Sequence, residues 1–135
     1  MPIIVQKYGG TSIGSIEKIS AVADKIISEK EKGNDIIVVV SAMSGETNRL
    51  IELAKSIDKD VNGREYDVLI STGEQVTISL LAMTLIKKGH KAISLTGQQA
   101  GIITDSIFNK ARIESIDKSK IKKHLDSGYI VIVAG

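Results

Sequence analysis

Residues 36–48 read Ile-Ile-Val-Val-Val-Ser-Ala-Met-Ser-Gly-Glu-Thr-Asn, five β-branched residues followed by small, hydroxylated and glycine residues. β-Branched side chains crowd a helix and suit a pleated strand. A strand with one wet face alternates apolar and polar residues; Ile36–Val40 does not, which points to a parallel sheet covered on both sides. Ile130–Ala134, Ile-Val-Ile-Val-Ala, repeats the pattern, and Ile3–Lys7 and Ala92–Thr96 are two further strand candidates. Between them the period changes. Ile16, Ile19, Val22, Ala23, Ile26 and Ile27 recur at helical steps, with Glu17, Lys18, Asp24, Lys25 and Glu29 on the other arc. This predicts an amphipathic helix with Thr11, Ser12 or Ser15 as its N-cap and Gly33 as its stop. A shorter helix is predicted over about Asn48–Ile57, and a strongly basic one over Asp117–Ser127, stopped by Gly128. From Arg64 to Gly89 the helical pattern is interrupted at Ser71-Thr72-Gly73. A mid-helix glycine costs about 1 kcal/mol relative to alanine. Two helices meeting there are therefore expected, the second (Glu74–Lys88) nearly apolar all round and deeply buried. Strands alternating with helices predict an α/β fold, a three-layer α/β/α sandwich around a mainly parallel sheet.

Composition bounds the function. A length of 135 residues fits one domain. Isoleucine supplies 23 positions and aromatics four (Tyr8, Tyr66, Phe108, Tyr129), so the core is aliphatic and the aromatic faces that stack single-stranded nucleic acid are scarce. A net charge of +2 is small for a phosphate-backbone binder, and Lys118, Lys120, Lys122 and Lys123 read as a solvated helix face. The absence of cysteine removes disulfides, thiolate catalysis and sulfur-ligated metals, and is compatible with a reducing cytoplasm. The N-terminus lacks a secretory h-region, and the continuous apolar runs fall far short of the ~20 residues that span a bilayer. A cytoplasmic protein binding neither nucleic acid nor membrane is expected.

In open parallel sheets ligands bind beyond the carboxyl ends of the strands. Here those ends open into Lys7-Tyr8-Gly9-Gly10-Thr11-Ser12, Ser41-Ala42-Met43-Ser44-Gly45-Glu46-Thr47-Asn48, Thr96-Gly97-Gln98-Gln99-Ala100-Gly101 and Gly135. Adjacent glycines let a backbone approach a ligand, and a following helix offers free N–H groups to an anion such as phosphate. Gly9, Gly10 and Gly14 match neither the dinucleotide fingerprint nor the P-loop. Lys7, ending an apolar strand before the glycines, could set a positive charge beside a transferred phosphate.

Taken together in order, KYGGTS, VVSAMSGETNRL, STGEQVT and SLTGQQAGIITD resemble the aspartate kinases of the amino acid kinase family along essentially the whole chain. That resemblance implies the three-layer α/β/α fold and transfer of the ATP γ-phosphoryl, with Mg2+, to the side-chain carboxylate of L-aspartate, a step toward lysine, threonine and methionine. It places Lys7 on the ATP phosphates, with Gly9, Gly10, Thr11 and Ser12 around them, and Ser41 on the nucleotide side. Thr47 and Glu74 correspond to residues that hold the amino acid; their plain structural roles would be N-capping for Thr47 and helix-dipole pairing for Glu74. Asp105 and Arg112, in ITDSIFNKARI, resemble a segment near the substrate, although the family often has His where this chain has Phe108. No metal ligand is assigned. Because a carboxylate acceptor is already ionised at neutral pH, no general base is needed, and His90 and His124 read as structural or solvated.

Catalytic domains of this family are longer. The chain is therefore expected to be the N-terminal part of one, with the adenine pocket, an assisting aspartate, a substrate-binding arginine and any regulatory domain lying elsewhere. Residues 1–135 alone are expected to be inactive, and the parent to be a homo-oligomer. A buried strand ending at Ala134 is expected to have bare apolar faces. The alternatives are a family member with another carboxylate, carbamate or nucleotide acceptor, or a non-catalytic binding or assembly module; STGEQ and SAMSGETN favour aspartate.

Overall fold

The computed structural model describes residues 2–104 and 113–135. In chain order it contains β1 (Ile3–Tyr8), a 3-10 turn (Gly10–Ile13), α1 (Ile16–Glu31), β2 (Asp35–Val40), α2 (Glu46–Ile57) and α3 (Arg64–Lys87). β3 (Ala92–Leu95), β4 (Ile102–Thr104), β5 (Ile113–Ile116), α4 (Lys118–Asp126) and β6 (Ile130–Ala134) complete it. β1, β2, β6 and β3 form, in that order, a parallel sheet, so the βα reading of the sequence holds. β4 and β5 pair as a separate antiparallel ribbon that the sequence reading did not anticipate.

One face of the sheet presents Ile36, Val38, Val40, Ile130 and Ile132 to Ile19, Val22, Ala23 and Ile26 of α1 and to Ile78, Leu81, Ala82 and Leu85 of α3. On the opposite face Leu95, Val131 and Val133 pack with Leu125 of α4 and with Ala100. Helices on both sides of the sheet give the three layers expected.

Cover is uneven on the second face. β6 is buried on both sides, β2 is fully buried only at alternate residues, and β1 alternates between exposed and half-buried. The unbroken apolar run of Ile36–Val40 therefore overstates its burial, because α4 has only nine residues and its Leu125 packs with Val131 and Val133 of β6. Nor are the faces of β6 bare: Ile130 and Ile132 pack into the core with α1 and α3, and Val131 and Val133 pack with Leu125 and Ala100 on the other side. The bare apolar surface is instead on β1, where Ile3 and Val5 are 57% and 63% exposed beside an open groove of about 490 Å³ lined by Ile37, Ile121 and Leu125.

α3 also departs from expectation. It runs unbroken for 24 residues through Gly73, with no second start at Glu74. A methyl at Gly73 would lie 3.1 Å from the Ala42 Cβ and 3.3 Å from Leu50 Cδ1, so tertiary packing outweighs the helix propensity of this one position. Its C-terminal half is not buried all round: Val76, Met83 and Ile86 are exposed while Ile78, Leu81 and Leu85 fill the core. By length and hydropathy α3 could cross a membrane, yet its apolar side forms the centre of the sandwich.

Candidate active site

The candidate residues on the first loop come directly after β1. Along this strand Ile4 and Tyr8 pack against the core shared with α1 and α3. Strand alternation then directs Lys7, with Ile3 and Val5, to the opposite face. Lys7 is exposed and its ammonium has no hydrogen-bond or ion-pair partner among the described residues.

The glycines behave differently from each other. Around Gly9 the space where a side chain would stand is open, as a backbone approached by a ligand requires. A Cβ at Gly10 would lie 2.8 Å from the Ala42 carbonyl oxygen, so this glycine is needed for packing within the protein. The Ser44 N–H donates to the Gly10 carbonyl at 3.1 Å and ties the β1 and β2 loops together. Gly10 opens the short 3-10 turn; α1 starts only at Ile16, so the long helix does not open directly on the glycines. Ser15, not Thr11 or Ser12, caps α1, accepting from the Lys18 N–H at 3.2 Å. Thr11 and Ser12 are left exposed, with hydroxyls unbonded among the described residues, and Lys18 Nζ donates to the Thr11 carbonyl at 3.2 Å.

Ser41 is half-buried at the end of β2, and the parallel register sets Lys7 beside Val39, two residues before it. The Gly135 N–H donates to the Val40 carbonyl at 2.8 Å, which brings the end of β6 to the same place. α2 begins at Glu46, behind Gly45 in the left-handed conformation (φ 83°). Thr47 therefore lies inside the first turn and does not N-cap the helix; it is exposed, with no hydrogen bond among the described residues. The Glu46 carboxylate is held below the usual carboxylate range by its hydrogen bond from Arg49.

Glu74 approaches from α3. It is half-buried, has no hydrogen-bond or ion-pair partner among the described residues, and burial pushes its carboxyl above the usual range. Since α3 starts at Arg64, ten residues earlier, Glu74 is not in a first helical turn, and the helix-dipole role does not apply. Its neighbour Gly73 rests on Ala42, with Glu46 Cγ 3.8 Å from where a Cβ would be. The β1 loop, the β2 loop, the start of α2 and the middle of α3 thus meet around Ala42. Sequence reasoning missed Gly73, Gly135 and Ser44 as parts of this junction; the one available signal, the glycine interrupting a helix, was readable as a break. Asp105 and Arg112 lie outside the described residues. His124 stacks edge-on against Tyr129 at 6.0 Å, consistent with a structural role. Among the described residues no three His, Asp or Glu side chains gather in a way that could hold a metal ion.

Comparison with known proteins establishes the family. The model of the amino acid kinase family matches residues 2–135. An aspartate kinase of Pseudomonas putida is 59% identical over 135 residues, all of this chain and 33% of that protein. The chain thus spans about a third of the length of the curated relatives it matches. Among solved structures, the aspartate kinase of Synechocystis superposes on the whole chain with a TM-score of 0.83 at 44% identity, over 22% of its own length. E. coli aspartokinase III, solved in complex with aspartate and ADP, superposes on the whole chain and 40% of its own with a TM-score of 0.78; at 19% identity this likeness concerns the fold alone. A parallel sheet with its glycine loops at one end and a family match across nearly every residue make this chain a member of the amino acid kinase family.

Proposed function

We propose that the chain is the part of an aspartate kinase catalytic domain that carries the phosphate loop and the acceptor residues, working in the cytoplasm on ATP, taken with Mg2+, and L-aspartate. The observation that carries this reading is the Glu74 carboxylate, without a partner among the described residues and half-buried on the helix turn that meets the junction of the β1 and β2 loops. A desolvated carboxylate favours a cation, and the ammonium group of an amino acid supplies one. Thr47, free of capping duty, offers an exposed hydroxyl in the first turn of α2, next to Glu46, whose Cγ lies against Gly73. Lys7 approaches the strand ends from the other face and would neutralise charge on the transferred phosphoryl group, with the open backbone at Gly9 and the hydroxyls of Thr11 and Ser12 around it. Ser41 follows β2 directly at the strand end.

The chemistry is one displacement. A carboxylate oxygen of aspartate forms a bond to the γ-phosphorus as the bond to the bridging oxygen of ADP breaks, giving an acyl phosphate and ADP. The nucleophile is already ionised, so no proton need be removed, and catalysis consists of positioning and charge neutralisation. The names of the relatives support aspartate as acceptor, and with that acceptor we place the reaction early in synthesis of lysine, threonine and methionine. Full-length enzyme carrying this chain, given ATP and aspartate with hydroxylamine, is expected to form aspartyl hydroxamate. Product with another acceptor but none with aspartate would replace this reading.

A further inference from the structure

Gly73 stands where helix propensity disfavours it, inside a continuous helix and one residue before Glu74. Its missing side chain leaves room for Ala42 at 3.1 Å and Leu50 at 3.3 Å, measured from the place a Cβ would take. Ala42 is in turn held from the other side, its carbonyl 2.8 Å from where a Cβ of Gly10 would lie. One residue, Ala42, is therefore wedged between two glycines, one on the phosphate loop and one on the helix of Glu74. The buried Thr77 hydroxyl donates to the Gly73 carbonyl at 3.3 Å, securing this turn of α3 at the point of contact.

We propose that Gly73 is a positioning residue for the acceptor: by admitting Ala42 it sets the separation between Glu74 and the phosphate loop. This deepens the proposed aspartate kinase reading and rests on it. A methyl at position 73 would push α3 away from Ala42 by a few tenths of an ångström. Displacements approaching 1 Å cost up to about 100-fold in well-oriented reactions, so a smaller one is expected to cost roughly tenfold. The loss falls on the acceptor because Glu74 moves with Gly73 on α3, whereas Lys7 and Gly9 are on β1 and its loop, which Gly73 reaches only through Ala42.

The test compares full-length wild type, Gly73→Ala and Ala42→Gly/Gly73→Ala. Gly73→Ala is expected to raise the KM for aspartate about tenfold while the KM for ATP stays within about twofold. The double variant, relieved of the 3.1 Å contact, is expected to recover the aspartate KM. A readout independent of the acceptor is the carboxyl titration of Glu74 followed by carbon NMR, assigned with Glu74→Gln. In Gly73→Ala it is expected to move toward an ordinary glutamate and in the double variant to return. An unchanged aspartate KM and titration in Gly73→Ala, equal losses for both substrates, or a double variant that neither folds nor recovers would each overturn the proposal. Wild type inactive on aspartate, with the titration responding as described, would instead overturn the choice of acceptor and leave the positioning role standing.

Discussion

Lys7 and Glu74 approach the end of the sheet from its two faces, and their substitution should separate two kinds of loss. On the proposed reading, removing the ammonium at Lys7 takes away charge stabilisation of the transfer itself. Lys7→Ala in the full-length enzyme is expected to lower kcat by roughly 100- to 1000-fold, with a small change in the KM for aspartate. Glu74→Ala is expected chiefly to raise the KM for aspartate. Glu74 also has a pH signature. Burial raises its carboxyl pKa, so over the window above the ordinary glutamate value the folded chain holds a proton that the unfolded chain has lost. Stability should therefore fall as pH rises through that window, and Glu74→Gln should remove this part of the slope. Denaturant titrations of both proteins across the window check it: parallel stability curves would contradict the assignment. Lys7 was legible as an odd cation ending an apolar strand, but Gly10 was not fully so. A glycine beside a possible phosphate site looks like a ligand contact, and only the neighbouring loop shows that the space is filled by the Ala42 carbonyl.

At the scale of elements, the four strands of the parallel sheet were legible to within a residue or two because β-branched runs report backbone preference directly, whereas the β4–β5 ribbon was not. Helix α3 was not, because Gly73 is a weak local signal that Ala42 and Leu50 overrule. Its amphipathy was likewise hidden. Val76, Met83 and Ile86 look like core in sequence and lie in solvent, so two apolar residues two positions apart should respond differently to truncation. Leu81→Ala, at a fully buried position, is expected to cost about 3–5 kcal/mol, and Met83→Ala, 64% exposed, less than about 0.5 kcal/mol, by chemical denaturation. The start of α1 offers a finer test. Ser15→Ala removes the side-chain acceptor of the Lys18 N–H and is expected to cost about 1 kcal/mol, whereas truncating Thr11 or Ser12 removes no cap.

For the whole molecule, layer order and parallel strands followed from the alternation of periods along the chain, whereas strand order did not. Nothing in Ile130–Ala134 says that the last strand enters the middle of the sheet, because the run reads alike wherever both faces are covered. Nor does the sequence say how far the helical cover reaches across the sheet to β1. Its exposed Ile3 and Val5 leave an apolar edge, and Val5→Lys is expected to reduce concentration-dependent association of the chain in light scattering while leaving its circular dichroism unchanged.

The central place of β6 also dictates when the sheet can form. β1 and β2 pair directly, but β3 touches β2 only through β6. During synthesis the emerging chain carries α3 and β3 with no central strand to hold them, and the partners of Ile78, Leu81 and Leu85 across the core stay incomplete until residues 130–134 have left the ribosome. Native pairing of β3 thus waits for β6 to arrive, so α3 and β3 pass through that stage of synthesis with much of their core dependent on temporary shelter.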